Sequence, residues 1–130
     1  MSKSKRVFSH APWEKQVGYC RALQCGPHIW VTGTAPIADD GSTYAPGDPY
    51  AQTARYLSLI ETALGELGAG MQHVVRTRLY VTDITRWEAI GRAHAAVFKD
   101  FPPTSTMIQV SGLIAPDMMI EIEADAFIDE

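Results

Sequence analysis

The spacing of apolar and polar positions divides the chain into stretches of two periods. Val17 to Leu23 and His28 to Thr34 are short runs with β-branched and aromatic content, separated by Cys25-Gly26-Pro27. Glycine and proline side by side punctuate regular structure, so the segment predicts two strands and a turn. Residues 39–47 follow as a loop dense in turn formers. From there the period lengthens: Tyr50, Ala54, Leu57, Ile60, Leu64 and Leu67 recur at the spacing of one helical face. Asp48 is placed to cap the free N–H groups of a first turn, and Pro49 suits the first helical position. Gly68 and Gly70 offer the left-handed stop. These signals predict a helix over 49–67.

His73 to Thr82 returns to a period of two. Val75, Thr77, Leu79 and Val81 fall on one side, and Val74, Arg76, Arg78 and Tyr80 on the other. A second helix opens in 83–88, where Thr85 and Glu88 have capping-box spacing. Its apolar face carries Trp87, Ile90, Ala93, Val97 and Phe98, and Phe101-Pro102-Pro103 stops it. Two strands, Thr104 to Val110 and Met119 to Phe127, close the chain. In the last, Ile120, Ile122, Ala124 and Ala126 alternate with Glu121, Glu123, Asp125 and Phe127. The order ββαβαββ implies an α+β protein: one mixed sheet with two helices packed on one face. A single domain spans 1–130, with 1–6 read as a flexible tail.

Two helices cover only one side of such a sheet. The other side would hold Arg76, Arg78 and Tyr80 opposite Glu121, Glu123 and Asp125. It is either a solvated face with cross-strand charge pairs, or an interface between copies whose clefts take a ligand. The sequence leaves both open.

Composition narrows the classes. Apolar residues make up 46% and charged residues 20% of 130 positions, which supports a packed core rather than disorder. A net charge of −4 argues against a nucleic-acid surface, and the basic cluster Lys3, Lys5 and Arg6 reads as solvated. No apolar run approaches the length of a membrane span, and no signal core follows Arg6. Cys20 and Cys25 are too few for a secreted disulfide framework. A cytoplasmic protein without nucleic-acid or membrane partners is expected.

The usual chemical motifs are missing. Cys25 and His28 have no second ligand pair and there is no HExxH, so no metal site is expected. There is no GxSxG elbow. The glycines at 65, 68 and 70 follow a helix instead of preceding one, so they cannot direct helix N–H groups at a phosphate. Glu121 and Glu123 flank one isoleucine on a strand and share a face, about 6–7 Å apart. They are placed either to hold a water or accept a substrate N–H, or to pair with Arg76 and Arg78.

Four segments in order carry a resemblance: Trp30-Val-Thr-Gly33-Thr, Ala51-Gln-Thr-Ala-Arg55, Val74-Val-Arg-Thr-Arg-Leu-Tyr-Val-Thr-Asp83, and Met119-Ile-Glu121-Ile-Glu-Ala124-Asp-Ala. The chain resembles the Rid family (YjgF, or L-PSP endoribonuclease-like) over nearly its whole length. The resemblance implies a chorismate-mutase-like fold, a homotrimer with clefts between subunits, and a small-molecule ligand. It also implies cofactor-free hydrolysis of enamines or imines to carbonyl compounds and ammonia. It maps the last-strand glutamate to Glu121, the strand-two glycine to Gly33 and the cleft tyrosine to Tyr19.

The family's carboxylate-binding arginine is replaced. Its Pro-Ala-Arg-Ser run falls on Pro103-Thr104-Ser105-Thr106, with Ser105 at the arginine, or Thr104 if the gap moves, and Met107 at the cysteine that follows. The family's asparagine and tyrosine on the second helix fall at Gly91 and His94, and its glutamine after the cleft tyrosine becomes Arg21. A serine hydroxyl is one neutral donor where a guanidinium makes two charge-assisted bonds. The founding 2-aminoacrylate deaminase activity is therefore not expected. Either Arg21 or Arg78 supplies a displaced positive charge, or Tyr19, Ser105, Thr106 and Met107 line a neutral pocket. The readings carried forward are a Rid-type hydrolase acting on a small C–N compound, and a non-catalytic ligand-binding trimer. A ribonuclease or translation inhibitor comes third, against the acidic balance.

Overall fold

The computed structural model describes residues 4–9, 11–34 and 36–128. Among them, six strands form one sheet: β1 (Ser4–Val7), β2 (Ala22–Cys25), β3 (His28–Thr34), β4 (Val74–Val81), β5 (Thr104–Gln109) and β6 (Ile120–Phe127). Their spatial order is β1-β2-β3-β6-β4-β5. Every pair is antiparallel except β4 with β5, which helix α2 (Trp87–Phe98) connects by a crossover. Helix α1 (Pro49–Glu66) lies against β3, β6 and α2.

β6 sets the centre. Ile120, Ile122, Ala124 and Ala126 are buried toward the helices, while Glu121, Glu123 and Asp125 are half-buried on the opposite face, the alternation the sequence predicts. Leu57, Ile60 and Leu64 of α1 and Ile90 and Phe98 of α2 complete the core. Each such side chain contributes about 1.5–3 kcal/mol through burial. α1 begins as predicted, with Asp48 accepting the Ala51 N–H at 3.0 Å and Pro49 in the first turn. At its end Gly68 takes φ +77°, and the Ala69 N–H reaches back to the Leu64 carbonyl at 2.9 Å. That is a glycine-closed Schellman cap.

Several expectations need correction. Residues 4–6 are not tail; they belong to β1, which pairs antiparallel with β2 and makes the order βββαβαββ. Residues 1–3 lie outside the described residues. The strand expected over 17–23 begins only at Ala22, because Glu14–Gly18 forms a π-helical turn closed by the Tyr19 N–H on the Glu14 carbonyl. Tyr50 and Ala54 are exposed, and Gln52, Thr53 and Tyr56 hold their places inside. An apolar count misses these three because two are polar and find hydrogen bonds at home. On β4 the register slips between Val74 and Arg76, so Val74 turns into the core and Val75 to solvent. That bulge reverses the predicted faces of the strand's first two residues. The Thr85–Glu88 capping box does not form; Asp83 caps a short 3₁₀ turn over Ile84–Arg86 instead, accepting both the N–H and the hydroxyl of Thr85. Trp87 is exposed.

Candidate functional site

The helix-free face of the sheet is organised around the first turn of β6. Gln52, wholly buried on α1, fixes where that strand starts: its Nε2 donates to the Asp117 carbonyl at 3.0 Å and its Oε1 accepts the Met119 N–H at 2.9 Å. Two residues later Glu121 leaves the sheet on the bare side. Its carboxyl lies flat on Gly33, where pairing between β3 and β6 is irregular from Val31 to Thr34. A Cβ at position 33 would stand 3.0 Å from Glu121 Cδ and closer still to Oε2. Glycine is needed here for close approach, not for an unusual backbone angle.

Beside this corner is a buried ion pair. Arg21 Nε and Nη2 donate to Glu14 Oε2 at 3.2 and 3.1 Å, with both side chains almost fully covered. Arg21 Nη1 donates to the Gly33 carbonyl at 3.2 Å, tying the pair to the residue under Glu121. Ser9 donates to the Glu14 carboxylate through its N–H at 3.0 Å and through its hydroxyl. The π turn over Glu14–Gly18 turns Glu14 inward and delivers Tyr19, whose ring lies 5.6 Å from the Arg21 guanidinium carbon. Tyr19, Arg21, Gly33 and Glu121 are thus brought together.

Burial raises the pKa of Glu121 above the usual carboxylate value, the Arg21 charge opposes that shift, and Glu123 reinforces it. Such a carboxyl holds its proton more readily than a solvated one, which is the direction that suits a group exchanging a proton with substrate. Glu123 is committed differently. It accepts the Tyr80 hydroxyl at 2.8 Å and the Arg78 guanidinium at 3.5 Å, and Arg78 also reaches Asp125 at 3.2 Å. That hydrogen bond to Glu123 keeps the Tyr80 phenol protonated. The two glutamates, equivalent by spacing, therefore differ: Glu123 sits in a charge network, and Glu121 does not.

The residues proposed on β5 divide between the two faces. Ser105 stands opposite Thr77, and their hydroxyls are 2.8 Å apart on the helix side, with His94 Nε2 2.9 Å from Thr77. Met107 packs against the core. Ser105 and Met107 thus face away from Glu121, because strand alternation turns them under α2. Thr106 faces the bare side opposite Arg78, and so does Thr104, whose hydroxyl donates to the Val75 carbonyl at 2.9 Å. Of the two positions the resemblance offers for the family arginine, Ser105 faces the helices and Thr104 the bare side.

Arg21 and Arg78 are each bonded to carboxylates of this chain. Cys25 and His28 face each other across β2 and β3, and the imidazole stacks on Trp30. Among the described residues, no three histidine, cysteine or acidic side chains come together as metal ligands, and no helix is long and apolar enough to cross a membrane.

Two open pockets flank the corner. One, of about 1070 Å³, runs along Tyr19, Leu23, Trp30 and Thr32 on the bare face. The other, of about 660 Å³, lies between Arg21, Arg55, Leu59 and the loop at Ile37–Gly41. Glu121 lines neither of these two pockets and is half-buried on the bare face. Reading the sequence alone passes over Glu14, Gln52 and Tyr56. Gln52 lies inside one of the four motif segments, which is the signal that could have found it; Arg55 in the same segment holds the Ile37 carbonyl at 2.9 Å.

Comparison with known proteins agrees with this architecture. The sequence model of the family described as Endoribonuclease L-PSP matches residues 9–128. A crystal structure of Rv2704 from Mycobacterium tuberculosis, a member of the YjgF/YER057c/UK114 family, superposes with a TM-score of 0.88 at 44% identity, covering 97% of this chain and all of that one. Protein SCO2049 of Streptomyces coelicolor is 34% identical over 123 residues, 95% of this chain and 91% of that protein. The 3-aminoacrylate deaminase RutC of Acinetobacter baylyi is 28% identical over 110 residues, 85% of this chain and 86% of that protein. The chain belongs to the endoribonuclease L-PSP family, also known as YjgF or Rid.

Proposed function

We propose that the protein hydrolyses a small enamine, imine or related C–N compound through Glu121, in a cleft that a second copy of the chain closes. The observation that carries this reading is the Glu121 carboxyl: half-buried on Gly33, raised in pKa, and outside the charge network that occupies its neighbour. The chemistry asks for a group that exchanges a proton in both directions. Glu121 as the acid protonates the enamine carbon, giving an iminium. As the carboxylate it then takes a proton from water while the oxygen bonds to the iminium carbon and the C–N π electrons move to nitrogen. Protonation of nitrogen and cleavage of the C–N bond release ammonia and leave a carbonyl compound. Water is the only co-reactant. The likeness to a 3-aminoacrylate deaminase supports this class of substrate.

Tyr19 and Gly33 form one wall of this site, and Arg78 and Thr106 lie further along the same face. Ser105, or Thr104 if the gap moves, offers a hydroxyl where the family resemblance places a guanidinium, and the arginines near Glu121 and Glu123 are held by acids. Substrates without a free carboxylate are therefore favoured. Ammonia release from 3-aminoacrylate, 2-aminoacrylate and their primary amides tests both parts. Release above the buffer rate is expected from the amides, with little from 2-aminoacrylate itself, and it should fall about 10²–10⁴-fold in Glu121→Gln. No release by the wild type from any of the four, with saturable binding of the amides, would replace the hydrolase with a ligand-binding protein.

A further inference from the structure

Thr77 is a wholly buried polar side chain on β4. Its hydroxyl meets two partners, His94 Nε2 at 2.9 Å and Ser105 Oγ at 2.8 Å. One partner would satisfy a buried hydroxyl. The second makes a path, running from the half-buried ring on α2 through the interior to an exposed residue on β5. That path has a direction, because Thr77 has one proton to give. When His94 Nε2 donates to Thr77, Thr77 donates to Ser105, and the Ser105 proton is left to point outward. When His94 Nε2 accepts, Thr77 donates to it and takes the Ser105 proton, so Ser105 shows only lone pairs. The neutral imidazole supports either direction, according to which nitrogen holds its proton. The protonated imidazole supports only the first, since both of its nitrogens then donate.

The surroundings leave room for a small molecule and isolate the histidine from other charges. One turn ahead of His94 on α2, no atom lies within 4 Å of where a Gly91 Cβ would stand. Met107, two places after Ser105, turns to the same side and is half-buried. The Phe98 ring packs on the imidazole, with centroids 4.6 Å apart. Burial alone acts on the His94 pKa, lowering it from 6.5. From α1 come Arg55, held at Ile37 and Asp39, the buried Tyr56, and the exposed Glu61 and Glu66. The turns beside α2 bring His73, whose Nδ1 accepts the Gly70 N–H, and the exposed Arg86. Glu88 and Arg92 of α2 itself are exposed. On β4, Arg76 and Arg78 belong to the bare face, and β5 carries no charged residue.

We propose that His94 is a positioning residue for a ligand-binding edge on β5: through Thr77 it sets whether Ser105 gives or takes a hydrogen bond, and when protonated it fixes Ser105 as the donor to a carbonyl oxygen. The ligand class follows from the groups at the edge. One neutral hydroxyl beside a methionine and the open space at Gly91 suits a small uncharged carbonyl compound, whereas a carboxylate asks for the paired bonds of a guanidinium. His94 acts through Thr77 and does not touch the ligand. This edge lies across the sheet from Glu121, so it neither needs the hydrolase reading nor tests it.

The test follows the His94 imidazole by nitrogen NMR across pH, with and without N,N-dimethylformamide, which accepts hydrogen bonds and has none to give. A probe that prefers the donor form of Ser105 must raise the His94 pKa, because linkage between two sites is reciprocal. The wild-type midpoint, which burial places below pH 6.5, should move upward by the amount that matches about 2–10-fold tighter binding to the protonated form, as one hydrogen bond gives. It should stay still in Ser105→Ala and in Thr77→Val, which keeps the shape and removes the path. Thr77→Ser should restore the movement. A histidine that only fills space is indifferent to the probe, so an unmoved wild-type midpoint overturns the proposal. Equal movement in Thr77→Val also overturns it, since the probe would then act on the ring directly. Should Thr77→Val fail to fold, the exposed Ser105→Ala carries the same comparison: movement equal to the wild type's ends the proposal, and its loss supports it.

Discussion

Glu121 shows how one side chain can be costly to the fold and useful to the site. A carboxyl whose folded pKa lies above its ordinary value of 4.5 binds more protons folded than unfolded. Its contribution to stability is therefore fully present below 4.5 and is lost as pH rises through the raised value. Glutamine at 121 keeps the shape and carries no charge to bury. Glu121→Gln should thus be more stable than the wild type near neutrality, by less than about 1 kcal/mol because water screens the partly exposed carboxyl, with the difference shrinking toward pH 4. Urea denaturation of both proteins at the two pH values measures it. A variant less stable at pH 7 would mean that the carboxylate forms structural bonds, and Glu121 would then be a scaffold residue. The Gly33 contact directs the same carboxyl, since any side chain there would push it off the face.

At the level of elements, the frame was legible where local chemistry is strong. Asp48-Pro49 opened α1, Gly68 closed it, and strict alternation put Glu121 on the bare face. What escaped depends on partners far away in sequence. Glu14 carries no signal in the sequence and Arg21 reads there only as a candidate cleft charge; the π turn between them makes a buried pair. The β4 bulge is invisible because Val74 and Val75 are the same residue type, so the pattern reads equally well with either one inside. Ser105 and Thr104, the two positions the resemblance offers for the arginine, are one place apart along β5, and in a strand one position is the other face. The buried pair has a measurable consequence. Glu14→Ala leaves the Arg21 charge covered without its partner and should cost about 3–5 kcal/mol. Replacing both, as Glu14→Ala with Arg21→Met, should cost less than the single change, because no unpaired charge remains. Chemical denaturation of the three proteins gives the comparison, and additive losses would show that the pair is not coupled.

Across the whole molecule, the bare face is built in register from edge to edge. Arg6, Leu23, Trp30, Asp125, Arg76 and Thr104 stand in one row across six strands. The centre of the face is already neutralised by the Arg78, Glu123, Asp125 and Tyr80 network, while Trp30 and Phe127 remain exposed beside it. Paired charges can be covered at modest cost, whereas exposed aromatic rings gain from being covered. The face is therefore suited to association with copies of itself, and on the proposed reading a second copy would close over the half-buried Glu121. The family resemblance implies three copies. Sedimentation equilibrium over a wide range of dilution should give about three times the 14.3 kDa of one chain. Arg78→Glu would set a third acid against Glu123 and Asp125, where like charges repel when water is excluded, and should shift the assembly toward single chains that remain folded by circular dichroism. Ammonia release, if the cleft lies between copies, should fall in step with the mass. A wild-type protein that sediments as one chain at every dilution would leave the face to water, and with it Glu121 would lose the enclosure that its chemistry requires.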